Sequence, residues 1–177
     1  MMFPRWYVLD VERGREREVE AALDDAYITC LLPCLFFGPA RPSKREEEGS
    51  AELLFPGCMF VRLAPADHGW EVVAGLPAVR GVVGFGGDPV PVPDDLPDSL
   101  IRLSLGSGCL VYRGGRLKDY GAERLGDELS GFLSRPPDGD GRVRCLLDLV
   151  ARESGGWGTG KTLKVLAVGS AFRRNQG

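Results

Sequence analysis

One histidine, His68, stands in the 177 residues of this sequence. Histidine is the side chain whose ordinary titration lies nearest neutral pH, and general acid–base sites draw on it most often. No Ser or Cys lies in a nucleophile-elbow pattern. Nothing in the spacing brings Cys58 toward His68 as a nucleophile and its base. The acidic residues fall mostly in charged, solvated segments, so catalysis is not expected. No apolar run approaches the roughly 20 residues that carry a helix across a bilayer. The first ten residues hold a single Arg and no long apolar stretch, unlike a signal peptide. The expectation is a cytoplasmic protein with no membrane contact.

Positive charge is also in short supply. The formal net charge is -3, which argues against generic, tight nucleic-acid binding built on many Lys and Arg contacts to phosphate. A few local contacts are still compatible with it. The cysteines are five: Cys30, Cys34, Cys58, Cys109 and Cys145. Their odd number and wide spacing do not make a disulfide framework. Cys30 and Cys34 form C-x3-C, but no second Cys/His pair completes four ligands. They read as small buried thiols rather than a zinc site. No cofactor is expected.

What is present is a soluble-type composition, 44% hydrophobic and 27% charged, arranged in short alternating elements. Trp6 to Val11 reads as a buried strand. Arg15 to Asp25 follows, with Val19, Ala22, Leu23 and Ala26 at helical spacing. Tyr27 to Phe37 is a second strand region interrupted by Pro33. Gly38 to Ser50 is polar, charged and punctuated by Pro and Gly, as in an exposed hairpin tip. Pro56-Gly57 reads as a turn or bulge and Cys58 to Leu63 as a strand. A bulge there would re-aim Phe55 toward a functional surface. Pro65 to Ala74 reads as a helix with Pro at its start. Val79 to Phe85 is a strand. Asp98 to Leu103 reads as a short helix capped by Asp98. Leu105 to Gly108 (LGSG) suits a linker, dividing the chain into residues 1–104 and 109–177. Beyond it, Cys109 to Tyr112 and Thr162 to Val168 read as strands.

The segment between them is ambiguous. Leu117, Tyr120, Leu125, Leu129 and Phe132 follow a helical stripe, although Gly121, Gly126 and Gly131 each cost about 1 kcal/mol in a helix interior. Arg135 to Gly141 is a strong turn. After it, Arg142 to Arg152 would be a helix, or Val143, Cys145, Leu147 and Leu149 would alternate inward along a strand. Neither period wins, and both readings stay open: a small barrel with one extra helix, or a helical hairpin able to switch.

Gly155 to Thr162 (GGWGTGKT) satisfies the P-loop pattern, in which glycines bring backbone N–H groups to phosphate and Lys161 pairs with it. That site needs a helix directly after the loop. The residues that follow read as a strand, so a Gly-rich hairpin is the preferred reading.

The order of motifs resembles the N-terminal domain of NusG-family transcription elongation factors. WYVLDVERGRE opens the chain, YITCLLPCL follows the first helix, LLFPGCMFVRL comes after the charged loop, and HGWEVVAGLPAVRGVVGFGG and a PVP segment complete it, over Arg5 to about Leu103. YITCLLP is most similar to the specialised RfaH-like paralogues, which act on selected operons in antitermination. The resemblance implies an α+β fold: an antiparallel sheet with flanking helices, followed by a small KOW-like β-barrel that in RfaH-like proteins can instead be a helical hairpin masking the polymerase site, here over Phe60 and Phe85. It also implies docking to the clamp helices of the largest RNA polymerase subunit through Phe55, Cys58, Phe60 and Phe85, with His68, Gly69 and Trp70 at the other side of the cleft. Cys58 stands where the family usually has Tyr, and Asp10 where RfaH-like proteins carry an aromatic. Arg13, Arg15 and Arg17 would be the contacts to non-template DNA, although Glu12, Glu16 and Glu18 interleave. A ribosomal protein or a termination factor would be the partner of the C-terminal part. The competing readings are a P-loop nucleotide-binding protein and a KOW-type module acting at the ribosome.

Overall fold

A computed structural model describes residues 3–38, 50–85, 87–104, 109–113, 116–117, 138–153 and 163–168. Its elements are β1 (Arg5–Val11), α1 (Glu16–Asp25), β2 (Cys30–Leu31), β3 (Cys34–Gly38), β4 (Ser50–Leu53), β5 (Cys58–Leu63), α2 (Gly69–Gly75), β6 (Val79–Phe85), β7 (Asp88–Pro89), α3 (Asp95–Leu103), β8 (Cys109–Arg113), β9 (Arg116–Leu117), α4 (Gly139–Glu153) and β10 (Leu163–Leu166). The main sheet runs β10-β6-β1-β5-β2, with β7 paired to β6; a second sheet runs β4-β3-β8-β9. All pairs in the main sheet are antiparallel. The α+β architecture expected from the sequence is the one observed.

The strands of the main sheet are apolar at nearly every position because the sheet is covered on both faces. Alternation along each strand sends neighbours to opposite sides. Trp6 and Val8 of β1, Cys58 and Phe60 of β5 and Val83 of β6 enter one core. Tyr7, Leu9 and Val11, Met59, Val61 and Leu63, and Val82 enter the other. The second core is closed by Val19 and Leu23 of α1 and by Trp70 and Val73 of α2. The first is closed by Leu96, Leu100 and Leu103 of α3 and by Leu146 and Val150 of α4. Each such side chain, fully buried, contributes about 1.5–3 kcal/mol before entropy is subtracted.

The structure places some boundaries differently from the sequence reading. The region Tyr27 to Phe37 is two strands in different sheets, split at Pro33, which has no N–H to offer a ladder; its carbonyl accepts from Leu54 N at 2.8 Å instead. The helix expected from Pro65 starts only at Gly69, whose N–H bonds the Asp67 carboxylate at 2.8 Å. Asp98 does not cap α3. It lies in the first turn, the helix having begun at Asp95, because Pro97 is tolerated there, where its missing N–H would have had no partner. The tip of the β3–β4 hairpin (39–49), the linker 105–108 and the stripe from Tyr120 to Phe132 lie outside the described residues. On the far side of that linker, β8 pairs in parallel with β3, Cys34 beside Cys109 through Gly38 beside Arg113. The turn expected at Arg135 to Gly141 gives way to helix at Gly139, where the Asp138 carboxylate accepts Gly141 N–H at 2.7 Å.

Candidate protein-docking face

Phe55, Cys58 and Phe60 come together. The Pro56-Gly57 turn makes this possible. Gly57 has φ +79°, and a Cβ there would meet Val11 O and the Arg13 side chain at 3.2–3.4 Å. The turn is fastened from both sides. Val11 N donates to Gly57 O at 2.8 Å, and the Glu16 carboxylate accepts Gly57 N–H at 2.9 Å and Gly14 N–H at 2.7 Å. Glu16 is therefore buried with its charge met by backbone donors. Held this way, the Phe55 ring meets Phe60 edge-on at 6.0 Å. Neither ring is exposed by a bulge, and both are buried in the first core.

α4 joins the same core. Leu146 and Val150, four residues apart on one helix face, share the core of Phe55, Cys58 and Phe60, with Val143, Leu147 and Leu149 packed against it. The start of α4 is latched by polar contacts. Arg142 is 2% exposed. Its Nε donates to Leu54 O at 2.7 Å, and its Nη2 donates to Glu52 Oε1 at 2.6 Å and Leu53 O at 3.0 Å. Asp140 pairs with Arg13. Gly139 approaches so near that a Cβ there would lie 2.7 Å from Pro56 Cγ.

Cys58 sits opposite Asp10 in the β1–β5 register. Burial first, and then the Asp10 carboxylate, push its thiol up to about 12. Asp10 in turn receives Arg80 at 2.8 Å. Phe85, expected on the same face, ends β6 beside Leu163 and Asp88 and is not part of the Phe55–Phe60 core. Gly69 and Trp70 are buried on the opposite face. There Trp70 Nε1 donates to Ala64 O at 2.8 Å and the ring meets Tyr7 edge-on. The His68 side chain is almost wholly in solvent.

The three arginines expected at nucleic acid are all engaged by carboxylates. Arg13 holds Asp140, Arg15 holds Glu18 and Glu12, and Arg17 holds Glu20 at 2.7 Å. Hydrogen bonds to Asp140, Glu18 and Glu20 respectively are the main reason their guanidiniums titrate above the usual range. Among the described residues no group of three His, Cys, Asp or Glu could hold a metal ion. Cys30 is only partly buried and Cys145 is exposed, unlike the buried Cys34. Lys161 and the glycines before it lie outside the described residues, but the segment that follows, Leu163–Leu166, is a strand, not the helix a P-loop requires.

Residues 4–101, more than half of the chain, match the family model "Transcription termination factor nusG". The chain belongs to the NusG family. The transcription termination/antitermination protein NusG of Deinococcus radiodurans is 28% identical over 180 residues, covering 84% of this chain and 92% of that one. Its Thermus thermophilus counterpart is 30% identical over 112 residues, 56% of this chain and 61% of that protein's length. A solved structure described as "Domain interaction in Thermotoga maritima NusG" shares 28% identity over 56% of each chain, with a TM-score of 0.39. The NusG match takes in β1 through most of α3, and so all of Phe55, Cys58 and Phe60; α4 lies beyond it.

Sequence reasoning missed Arg142, Glu52 and Glu16. For Arg142 a signal existed: it stands four residues before Leu146 and eight before Val150, a charged residue in line with an apolar helical stripe. Such a position calls for a buried partner. For Glu16 there was none, since its partner turn is 41 residues away.

Proposed function

We propose that this NusG-family chain is a transcription elongation and antitermination factor of the RfaH-like kind, promoting processive transcription of selected operons. It acts by binding rather than catalysis. Its docking surface is the face of Phe55, Cys58 and Phe60, which engages the clamp helices of the largest RNA polymerase subunit, and α4 covers that face until it is displaced. The observation that carries this reading is that Leu146 and Val150 are buried in the same core as those three residues, under a latch of hydrogen bonds from Arg142. An apolar face closed by a helix of the same chain is a surface suited to exchange one helical partner for another. His68, exposed on the α2 side, faces the other wall of the cleft, with the buried Gly69 and Trp70 holding α2 in place behind it. Arg13 becomes available to non-template DNA when Asp140 leaves with α4. The released C-terminal part is then free for a ribosomal protein or a termination factor.

The test is capture by core RNA polymerase, read beside melting temperature. Phe55→Ala is expected to cost about 2 kcal/mol of binding, near 30-fold, beyond what its loss of stability explains. Affinity that falls only in step with stability across Phe55 and Phe60 variants would remove the docking reading. The runner-up, nucleotide binding at Lys161, has the strand of Leu163–Leu166 against it.

A further inference from the structure

The cover has a second attachment. β10 adds to the edge of the main sheet as a neighbour of β6, in the register Leu163 beside Phe85, Lys164 beside Gly84, Val165 beside Val83 and Leu166 beside Val82. β6 carries two glycines in its interior, where a strand gains nothing from them unless another backbone comes close. At Gly81 it does. A Cβ there would lie 2.3 Å from Leu166 O and 2.6 Å from Val165 Cγ1; at Gly84 the nearest atom would be Asp88 O of β7 at 2.2 Å, with Leu166 Cδ1 at 2.5 Å. Just past the strand, Val168 is buried, and with Leu166 it packs into the second core, on the face away from α4. The C-terminal region thus holds the main sheet from both sides, α4 on one face and Leu166 with Val168 on the other.

From this geometry we infer that β10 is a clasp for the cover: α4 leaves its face durably only after Leu163–Leu166 has peeled from β6. The clasp works by tethering. Residues 154 to 162, nine in all, join α4 to β10. Whatever path they take, they reach no more than about 35 Å. A displaced α4 whose far end is still anchored at β6 stays at a local concentration on the order of millimolar and returns to its face. With β10 free, the remaining anchor is β9, from which residues 118 to 138 lead to α4, 21 residues. A partner for the Phe55–Phe60 face then competes with a weaker rival. The purpose of release rests on the docking reading above, but the coupling of β10 to α4 does not.

The experiment is amide hydrogen exchange on the full chain and on two full-length variants, Gly81→Ala and Val165→Pro. The first places a methyl against the Leu166 carbonyl; the second puts a proline, which has no N–H, inside the four-residue strand at a half-exposed position outside both cores. In whichever variant frees Leu163–Leu166, exchange in Gly139–Glu153 is expected to quicken about tenfold or more, while β1 and β5 keep their protection. Unchanged α4 protection with β10 free would overturn the clasp. If Gly81→Ala loosens β1 and β5 as well, Val165→Pro decides. Polymerase capture by the same variants separates the two ideas. An exposed α4 face that captures no polymerase removes the docking reading and leaves the clasp. Capture that rises with α4 still protected removes the clasp.

Discussion

Tyr27 carries a conformational cost. It has φ +57°, a conformation that non-glycine residues enter at about 1–2 kcal/mol. The bonds around it show why: Ile28 N donates to Leu23 O and Tyr27 N to Asp24 O, the pair that closes a helix end and favours glycine at Tyr27's position. The side chain is 97% exposed, so little packing offsets the strain. Tyr27→Gly is expected to raise stability by about 0.5–1 kcal/mol, read as a higher urea midpoint at unchanged slope. A lower midpoint would mean that the ring holds a contact that outweighs the strain. Cys58 makes a prediction about pH. Its folded pKa is raised from 9.0 to about 12. The unfolded chain therefore gives up the proton first as pH rises, and the native state keeps its full advantage only below pH 9. Between about pH 9 and 12 stability falls, by about 1 kcal/mol per pH unit from this thiol. Burial raises Cys30 and Tyr7 in the same direction. Thermal melts across that range should fall with pH, and Cys58→Ala should make the fall shallower.

At the scale of elements, the strands β1, β5 and β6 were legible because burial on both faces makes them continuous apolar runs, bounded by Gly14, Pro56-Gly57 and Gly86-Gly87. The face of the candidate site was legible in the same way, since Cys58 and Phe60 must share a side of any strand they occupy. α4 was not. Val143 to Val150 fits two periods, and the choice is made by partners far off in sequence: the core under Leu146 and Val150, and the carbonyls of Leu53 and Leu54 that take up Arg142. No local rule reveals an acceptor 88 residues away. The same contacts make Arg142 the most informative position in α4. Arg142→Ala leaves the two carbonyls with a lost donor and Glu52 unpaired, a cost of about 2–3 kcal/mol. Since the loss falls on the docking of α4, hydrogen exchange in Gly139–Glu153 should accelerate well before β1 or β5 responds. Equal acceleration everywhere would make Arg142 part of a single cooperative core and not a latch.

At the scale of the molecule, the main sheet is a partition with a core on each side, and the C-terminal region meets both cores. The sequence reading left two arrangements open for residues 109–177, a barrel of their own or a helical hairpin laid over Phe60 and Phe85; strand addition to β3 and to β6 was in neither. The pairing of β8 with β3 and of β10 with β6 is a choice among strand edges, and an edge offers the same N–H and C=O groups to any strand that reaches it. What decides is steric: at β6, the room that Gly81 leaves for the Leu166 carbonyl.

The parallel pairing of β3 with β8 has a consequence in time. Cys34 meets Cys109, a strand added only after the chain between them has been made. Synthesis runs at about 5–20 residues per second and domains fold as they emerge. β1, β5 and β6, with α1 and α2 behind them, are complete by Phe85, several seconds before α4 leaves the ribosome. For that interval the growing polypeptide holds the core of Phe55 and Phe60 without the share that α4 contributes. Nascent molecules should accordingly pass through a sticky stage that finished ones have left, and chaperone capture during translation should be concentrated between the appearance of β6 and that of α4.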